Sequence, residues 1–490
     1  MRFGAVIAVL ARMNFFVALA MIAPIIFAWQ DDCRDIVPIS AAMSIALIVS
    51  LLLSIVFKPP KDDISHREGM MIVAFGWASA GLVGALPFFL ANTFGPMSVE
   101  NFINSYFESI SGFTTTGASV LGATVTIESL SKGILFWRSL THWLGGMGII
   151  VLAVAILPLL GVGGMQLFRA EAPGPTKEKL RPRIRETAAT LWLVYIMLSA
   201  LETMLLMIAG MSLFDALCHT FGTMATGGFS TRNASVGAYH SSAIDIIVIV
   251  FMFLAGANFS LHYLVLSGKV KAYWRNSEFR YYLAIVLGGI TLMSLWLFFS
   301  GTYSNILDSF RYGSFQAVSI ITTTGFATTD FELWPIVLQL MLLCFMFIGG
   351  CAGSTGGSIK IVRLVLLVKF AYRELFRLVH PRAFAAVKLG GKVVHKDILE
   401  SIAGFFILYM AIFVVASLII AGLGMDLITS LSSVAATIGN IGPGLGIVGP
   451  TEHYFAIPLL GKCVLIFCMV LGRLEIYTVL LLLVPEFWKK

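Results

Sequence analysis

Thr114-Thr115-Thr116-Gly117 lies between two long apolar stretches. Three further segments are built like it: Met224-Ala225-Thr226-Gly227, Thr322-Thr323-Thr324-Gly325 and Ala436-Thr437-Ile438-Gly439. Their glycines recur at intervals of 110, 98 and 114 residues, so one unit has been used four times. A single string of this kind is an ordinary turn sequence, because glycine readily supplies the positive φ that many turns require. Four at matched positions are not ordinary, and four loops meeting at one axis would frame an ion pore.

The flanking stretches set the solvent. With 58% hydrophobic and 12% charged residues and a mean hydropathy of +0.91, the chain is an integral membrane protein. Uncharged runs over 36–57, 69–99, 281–307, 333–359 and 401–425 each reach the ~20 residues a helix needs to cross ~30 Å of hydrocarbon. No cleavable leader is evident, since the first apolar stretch is interrupted by Arg12 and followed by further membrane segments. Spanning helices are predicted near 3–28, 37–57, 69–91, 134–160, 187–210, 243–266, 281–300, 335–349 (continuing in broken form to about 368), 398–421 and 456–484.

This topology puts all four threonine-glycine motifs on one side and 26 of the 33 lysines and arginines on the other, nine of them in 360–396 and six in 166–186. Basic loops stay in the cytoplasm, so both termini are predicted inside and the motif loops outside. The net charge of +7 then follows from orientation and does not call for a nucleic-acid partner.

The four outer segments agree in detail. Each opens on a capping cluster, Ser98-Val99-Glu100, Ser212-Leu213-Phe214-Asp215, Asn305-Ile306-Leu307-Asp308 or Gly424-Met425-Asp426, the signature of a helix start. About ten residues later comes the motif, so a short helix is aimed into the membrane with the partial negative charge of its C-terminus toward the loop. Non-helical backbone at that depth is tolerated only where it lines a cavity or is buried in protein. Carbonyl oxygens from such loops can replace the water around a bare cation, with no side-chain charge needed.

A second irregular stretch spans 349–357, where five glycines with serine, threonine and alanine stand in a predicted spanning helix. Each glycine costs ~1 kcal/mol relative to alanine in a helix interior, so the helix should break there. Close packing through small residues is the other reading. Arg473 lies among apolar residues of the last predicted helix and must face the interior or water; Glu475, two residues on, points elsewhere on a helix. Glu202 and Lys462 read as structural or snorkelling groups, and His142, His219 and His262 share no metal-like spacing. Asp215, Asp308, Asp426 and Glu108 either attract cations to the outer mouth or cap helices, and both readings stand. The six cysteines form no CxxC pair. Enzymatic chemistry finds no support, for the chain has no P-loop, Rossmann fingerprint or HExxH.

Taken with Trp143-Leu144-Gly145-Gly146-Met147-Gly148, Phe168-Arg169-Ala170-Glu171-Ala172-Pro173-Gly174-Pro175, the stretch from Gly349 through Lys360, and Gly472-Arg473-Leu474-Glu475, these loops resemble the TrkH-type bacterial potassium-uptake proteins over nearly the whole chain. The resemblance implies an all-α integral membrane protein with four helix/pore-loop/helix units around one pore per chain and two extra N-terminal transmembrane helices. The units divide as 1–60 for the extra helices, 61–165, 166–268, 269–368 with the broken inner helix, and 369–490 preceded by a cytoplasmic basic segment. It implies a selectivity filter holding K+ at Thr115, Thr116 and Gly117, at Ala225, Thr226 and Gly227, at Thr323, Thr324 and Gly325, and at Thr437, Ile438 and Gly439. Ala118, Gly228, Phe326 and Asn440 flank it. A serine in the first loop accompanies sodium transport in plant relatives, so Gly117 favours potassium.

The same resemblance makes Gly349, Gly350, Cys351, Ala352, Gly353, Ser354, Thr355, Gly356 and Gly357 a gate beneath the filter, with Arg473 opposing cation flow when it is closed. It implies uptake across the bacterial inner membrane, a homodimer, and a cytoplasmic TrkA-type ring that binds NAD and/or ATP/ADP, so that the nucleotide sits on the partner and this chain holds no covalently bound cofactor. The alternative is a secondary cation symporter, K+/Na+ or H+-coupled; such transporters usually carry inverted repeats, whereas these four units keep one orientation.

Overall fold

Backbone polar groups inside a bilayer must find partners within the protein, and this chain satisfies them with helices. The computed structural model describes residues 2–31, 33–58, 65–122, 125–151, 180–383 and 385–489. The Phe168 to Pro175 segment, the 166–179 part of the basic loop and the end of the helix expected over 134–160 lie outside them.

Two helical spans precede the first unit: Phe3–Ala20 continuing as Ile22–Trp29, and Ile36–Val56. Ala5, Ala8, Ala11 and Ala18 on one and Ala42 and Ala46 on the other are buried, so small side chains line their packing faces. Met21, Ala28 and Ile39 join Phe88, Trp137 and Leu140 in one core cluster, which ties the pair to the first unit.

Each unit is then an outer helix, a short pore helix, a loop and an inner helix. The outer helices are His66–Leu90, Leu180–Ile208, Ser277–Phe299 and Lys396–Gly422. The pore helices are Val99–Phe113, Leu213–Ala225, Ile306–Ile321 and Leu427–Ile438. All four start where the sequence places them. Ser98 accepts from the Asn101 N–H, Ser212 from Asp215, Asn305 from Leu307 and Asp426 from Thr429, at 3.0–3.1 Å. The Thr429 hydrogen bonds also hold the Asp426 carboxyl below the usual carboxylate range.

The inner helices depart from expectation. The first, Lys132–Val151, runs to the edge of the described residues. The third breaks as predicted, between Ile336–Phe345 and Ile361–Val379. The helices predicted as continuous over 243–266 and 456–484 also break: Ser242–Ala255 and Phe259–Leu266 meet at 101°, and Leu459–Arg473 and the segment from Ile476 to Leu483 meet at 118°. In the second unit Asn258 accepts from the Ser260 N–H at 2.8 Å and caps the new leg. In the fourth, Glu475 turns the chain with φ 63°. Six described helices are long and apolar enough to cross a membrane, and up to eight if each bent pair counts as one span.

Candidate ion pathway

The backbone fixes which residues of the four loops are equivalent. Thr115, Thr226, Thr323 and Asn440 have φ of 52°, 56°, 60° and 53°. Two residues later Gly117, Gly228, Gly325 and Gly442 have φ of 81°, 78°, 79° and 100°. The hydrogen bonds that end each pore helix follow the same register. The Thr115, Thr226, Thr323 and Asn440 N–H groups donate three residues back, and Thr116, Gly227, Thr324 and Ile441 donate five residues back.

The threonine-glycine strings of loops one and three therefore share one backbone register, and those of the other two loops are displaced from it. In loop two the equivalent glycine is Gly228 and not Gly227, a shift of one. In loop four it is Gly442 and not Gly439, a shift of three. Thr437 and Ile438 belong to the last turn of the pore helix, and Ala225 ends its own pore helix. The physical reason is that the string closes on the helix end in loop four, where Gly439 is the helix cap with ordinary φ of −80°. Asn440 then takes the left-handed position, which asparagine tolerates better than most residues.

The four glycines close a ring. A Cβ added to Gly117 would overlap the Gly227 carbonyl, one on Gly228 the Thr324 carbonyl, and one on Gly325 the Ile441 carbonyl; one on Gly442 would lie 2.7 Å from the Thr116 oxygen. Each loop thus abuts the next in sequence order, and the fourth returns to the first. The same four glycines line one cavity of about 270 Å³, whose lining also includes Arg232, Asn233, Glu452 and His453.

Behind the ring the inner helices come close enough to touch backbone. A Cβ on Gly145 would overlap the Phe113 carbonyl, one on Gly146 would lie 2.8 Å from Ala225 Cα, and one on Gly472 would overlap the Ile438 carbonyl. This is why the first inner helix carries consecutive glycines. The Asn440 amide donates to Thr116 Oγ1 at 3.0 Å and to the Met469 carbonyl at 2.9 Å, joining loop four to loop one. Thr114 and Thr116 share a 2.7 Å hydroxyl contact, matched by Thr322 and Thr324 at 2.8 Å.

The 349–357 stretch lies directly beneath. Thr355 Oγ1 donates to the Met224 carbonyl at 3.0 Å and to the Ala255 carbonyl at 3.2 Å, and the Gly357 N–H donates to Thr323 Oγ1 at 2.6 Å. A Cβ on Gly356 would sit 3.1 Å from the Thr322 oxygen, and one on Gly357 would overlap the Gly439 carbonyl. The stretch also docks on the break in the second inner helix: Cys351 N–H donates to Gly256 and Phe259 N–H to Gly353. Gly349 pairs with Ile359 across the base, and Lys360 Nζ reaches the Gly356 carbonyl. Arg473 is buried and its Nη1 donates to the Thr355 carbonyl at 2.6 Å. Glu475 pairs with Arg363 instead, whose guanidinium lies 4.3 Å from the Phe405 ring centroid.

The remaining ionisable groups sort by contact. Glu108 is fully buried, pairs with Arg138 at 2.6 Å and accepts from Ser119 and Val120, which makes it part of the frame. Arg138 also donates to the Ser230 carbonyl and lies 3.6 Å over the Phe229 ring, reaching loop two. Asp215 is held by Ser212, Thr231 and Arg232. Lys462 does not snorkel; it is buried, and its Nζ donates to Asn104 at 2.8 Å. Glu202 is fully buried on the outer helix that packs against the second pore helix. The sequence alone gives Asn440 to Gly444 as the turn after the fourth motif, with Gly442 in it and not at the ring, and does not single out Glu452.

Residues 38–490 match the TrkH family, described as a cation transport protein. The chain is 46% identical over 448 residues to the Trk system potassium uptake protein TrkH of Escherichia coli K12, covering 91% of each. It is 43% identical over 495 residues to the protein of the same name from Vibrio parahaemolyticus, covering 100% of each. The crystal structure of the potassium transporter TrkH from Vibrio parahaemolyticus superposes with a TM-score of 0.91 at 39% identity, over 100% of both chains.

Proposed function

Since this multi-pass membrane chain belongs to the TrkH family of potassium-uptake transporters, we propose that it conducts K+ inward through a channel-like pore. The observation that carries this reading is the closed ring of Gly117, Gly228, Gly325 and Gly442. A continuous ring of backbone carbonyls, backed by four pore-helix C-termini, replaces the hydration shell of a dehydrated cation. K+ enters from the vestibule at Glu452, loses its water between the loops, and leaves past the 349–357 stretch.

That stretch is the gate. It lies under the ring, and Arg473 places a guanidinium beside it, where positive charge repels a cation in a low-dielectric passage. Opening withdraws the stretch from Met224, Thr323 and Thr355's other partners, and the bends in the second and fourth inner helices give it room to move. The chain works as a homodimer in the bacterial inner membrane with both termini in the cytoplasm. A TrkA-type ring carrying NAD and/or ATP/ADP pulls on the basic 360–396 segment, which follows the gate directly in sequence.

Planar-bilayer recording of the purified protein tests the pore. Resolvable single-channel currents with a K+-selective reversal potential are expected; flux too small to resolve, with fixed ion stoichiometry, would establish the symporter reading instead.

A further inference from the structure

On the face opposite the vestibule, a cavity of about 760 Å³ opens between the leg Phe259–Leu266, the short helix Ala272–Arg275, the start of Ser277–Phe299 and the hairpin of Lys388–Leu389 with Lys392–Val393. Its lining carries Lys269, Lys271, Arg275 and Lys392 and no acidic side chain among the described residues. Leu261 and Leu264 make its wall apolar on the side of the bent leg. Val270 of the lining and Trp274 are 64% and 65% exposed, interleaved in sequence with those cations.

Depth decides what such a cavity meets. The 23 residues of Ser277–Phe299 rise ~34 Å, so their first turn lies at one membrane surface. An exposed tryptophan among lysine and arginine is the composition of a segment resting at the headgroup level. Cations above an apolar wall at that level match a phosphate with an acyl chain attached, and a free anion would leave Leu261 and Leu264 unused.

We propose that this cavity binds the phosphate headgroup of an anionic phospholipid from the adjacent leaflet, with Leu261 and Leu264 receiving the first part of an acyl chain. The same leg holds the 349–357 stretch through the hydrogen bond from the Phe259 N–H to the Gly353 carbonyl at 3.1 Å. A bound lipid therefore braces the support of that stretch, and anionic lipid content sets basal flux.

Native mass spectrometry of the full chain released from nanodiscs of equal phosphatidylglycerol and phosphatidylcholine tests the site. The wild-type chain retains phosphatidylglycerol preferentially. The K269Q/K271Q/R275Q variant loses that preference several-fold per charge, on the order of a hundredfold in all. The charge-preserving K269R/K271R/R275K variant keeps it, as does K396Q, which removes an exposed cation elsewhere. Equal retention by wild type and the glutamine variant overturns the proposal, and so does loss of preference in the charge-preserving variant. Displacement of the lipid by millimolar inorganic phosphate would show a free-anion site, and unchanged lipid retention with lost binding of a regulatory protein would show a docking surface; either result overturns it.

Discussion

Two kinds of non-helical backbone lie at membrane depth in this chain, and they are held by different means. In the ring of four loops each glycine faces the carbonyl of the next loop, each left-handed residue is fixed by the end of its own pore helix, and inner-helix glycines press from behind. Every loop is thus determined from several sides. The 349–357 stretch is as rich in glycine and as closely held, but by bonds to separate elements: Thr355 to Met224, Ala255 and Arg473, Gly357 to Thr323, Cys351 to Gly256, Gly353 to Phe259 and Ala352 to Glu278. Glycine content alone does not distinguish the two; the ring loops brace one another around a closed circle, whereas the stretch hangs on several separate elements.

The sharpest way to break this contrast is to remove the frame around the ring. Glu108→Ala leaves Arg138 buried without its carboxylate partner, which destabilises by about 3–5 kcal/mol; thermal unfolding monitored by tryptophan fluorescence should fall accordingly, and an unchanged midpoint would detach the pair from the frame. Next is the ring itself. Gly442→Ala adds ~1–2 kcal/mol of left-handed strain and a Cβ against the Thr116 carbonyl, so K+ over Na+ discrimination in bi-ionic reversal potentials should fall about tenfold or more. Gly117→Ser should act in the same direction, through its Cβ and hydroxyl. Equal discrimination in Gly442→Ala and wild type would return the filter register to Gly439.

The stretch beneath should respond oppositely, with flux changed and selectivity kept. Arg473→Gln removes a charge-assisted hydrogen bond to Thr355 worth about 1.5–3 kcal/mol together with the charge itself, so basal 86Rb+ uptake should rise about tenfold; a flux equal to wild type would remove Arg473 from the gate. The smallest effect is at the outer caps. Asp426→Ala should cost about 1 kcal/mol of stability. Because folding lowers the Asp426 pKa, its contribution is present at neutral pH and is lost as pH falls below about 4. Asp426→Asn keeps the cap and removes that acid sensitivity, which urea titrations at two pH values would read.

Much of this arrangement is legible in the sequence because it is local. The pore-helix caps at Ser98, Ser212, Asn305 and Asp426 are each decided within three residues, and loops one and three share the string Thr-Thr-Thr-Gly with the same geometry. What the sequence hides is set by distant partners. Thr437 mimics the loop threonines Thr116 and Thr324 but lies within the helix, and only the backbone of Asn440 reveals the displaced register. In the sequence Lys462 reads equally as a structural or a snorkelling lysine, because the partner that decides it, Asn104, is 358 residues away. The bends at 256–258 and 474–475 fall at Gly256 and Asn258 and between Arg473 and Glu475, polar interruptions too short to end the apolar runs around them. What creates them is contact, with the 349–357 stretch at the first and with Arg363 at the second.

The hydrogen bond from Asn440 to Thr116 spans 324 residues and has a consequence for how the protein is made. The first loop leaves the ribosome with three quarters of its ring missing, and its polar backbone reaches its last neighbour only after the fourth unit has inserted. Closure of such a long loop is slow and entropically disfavoured until all other contacts exist. A chain that stalls or is truncated before residue 440 therefore carries three units and an open ring, since the contact that joins loop four to loop one is missing.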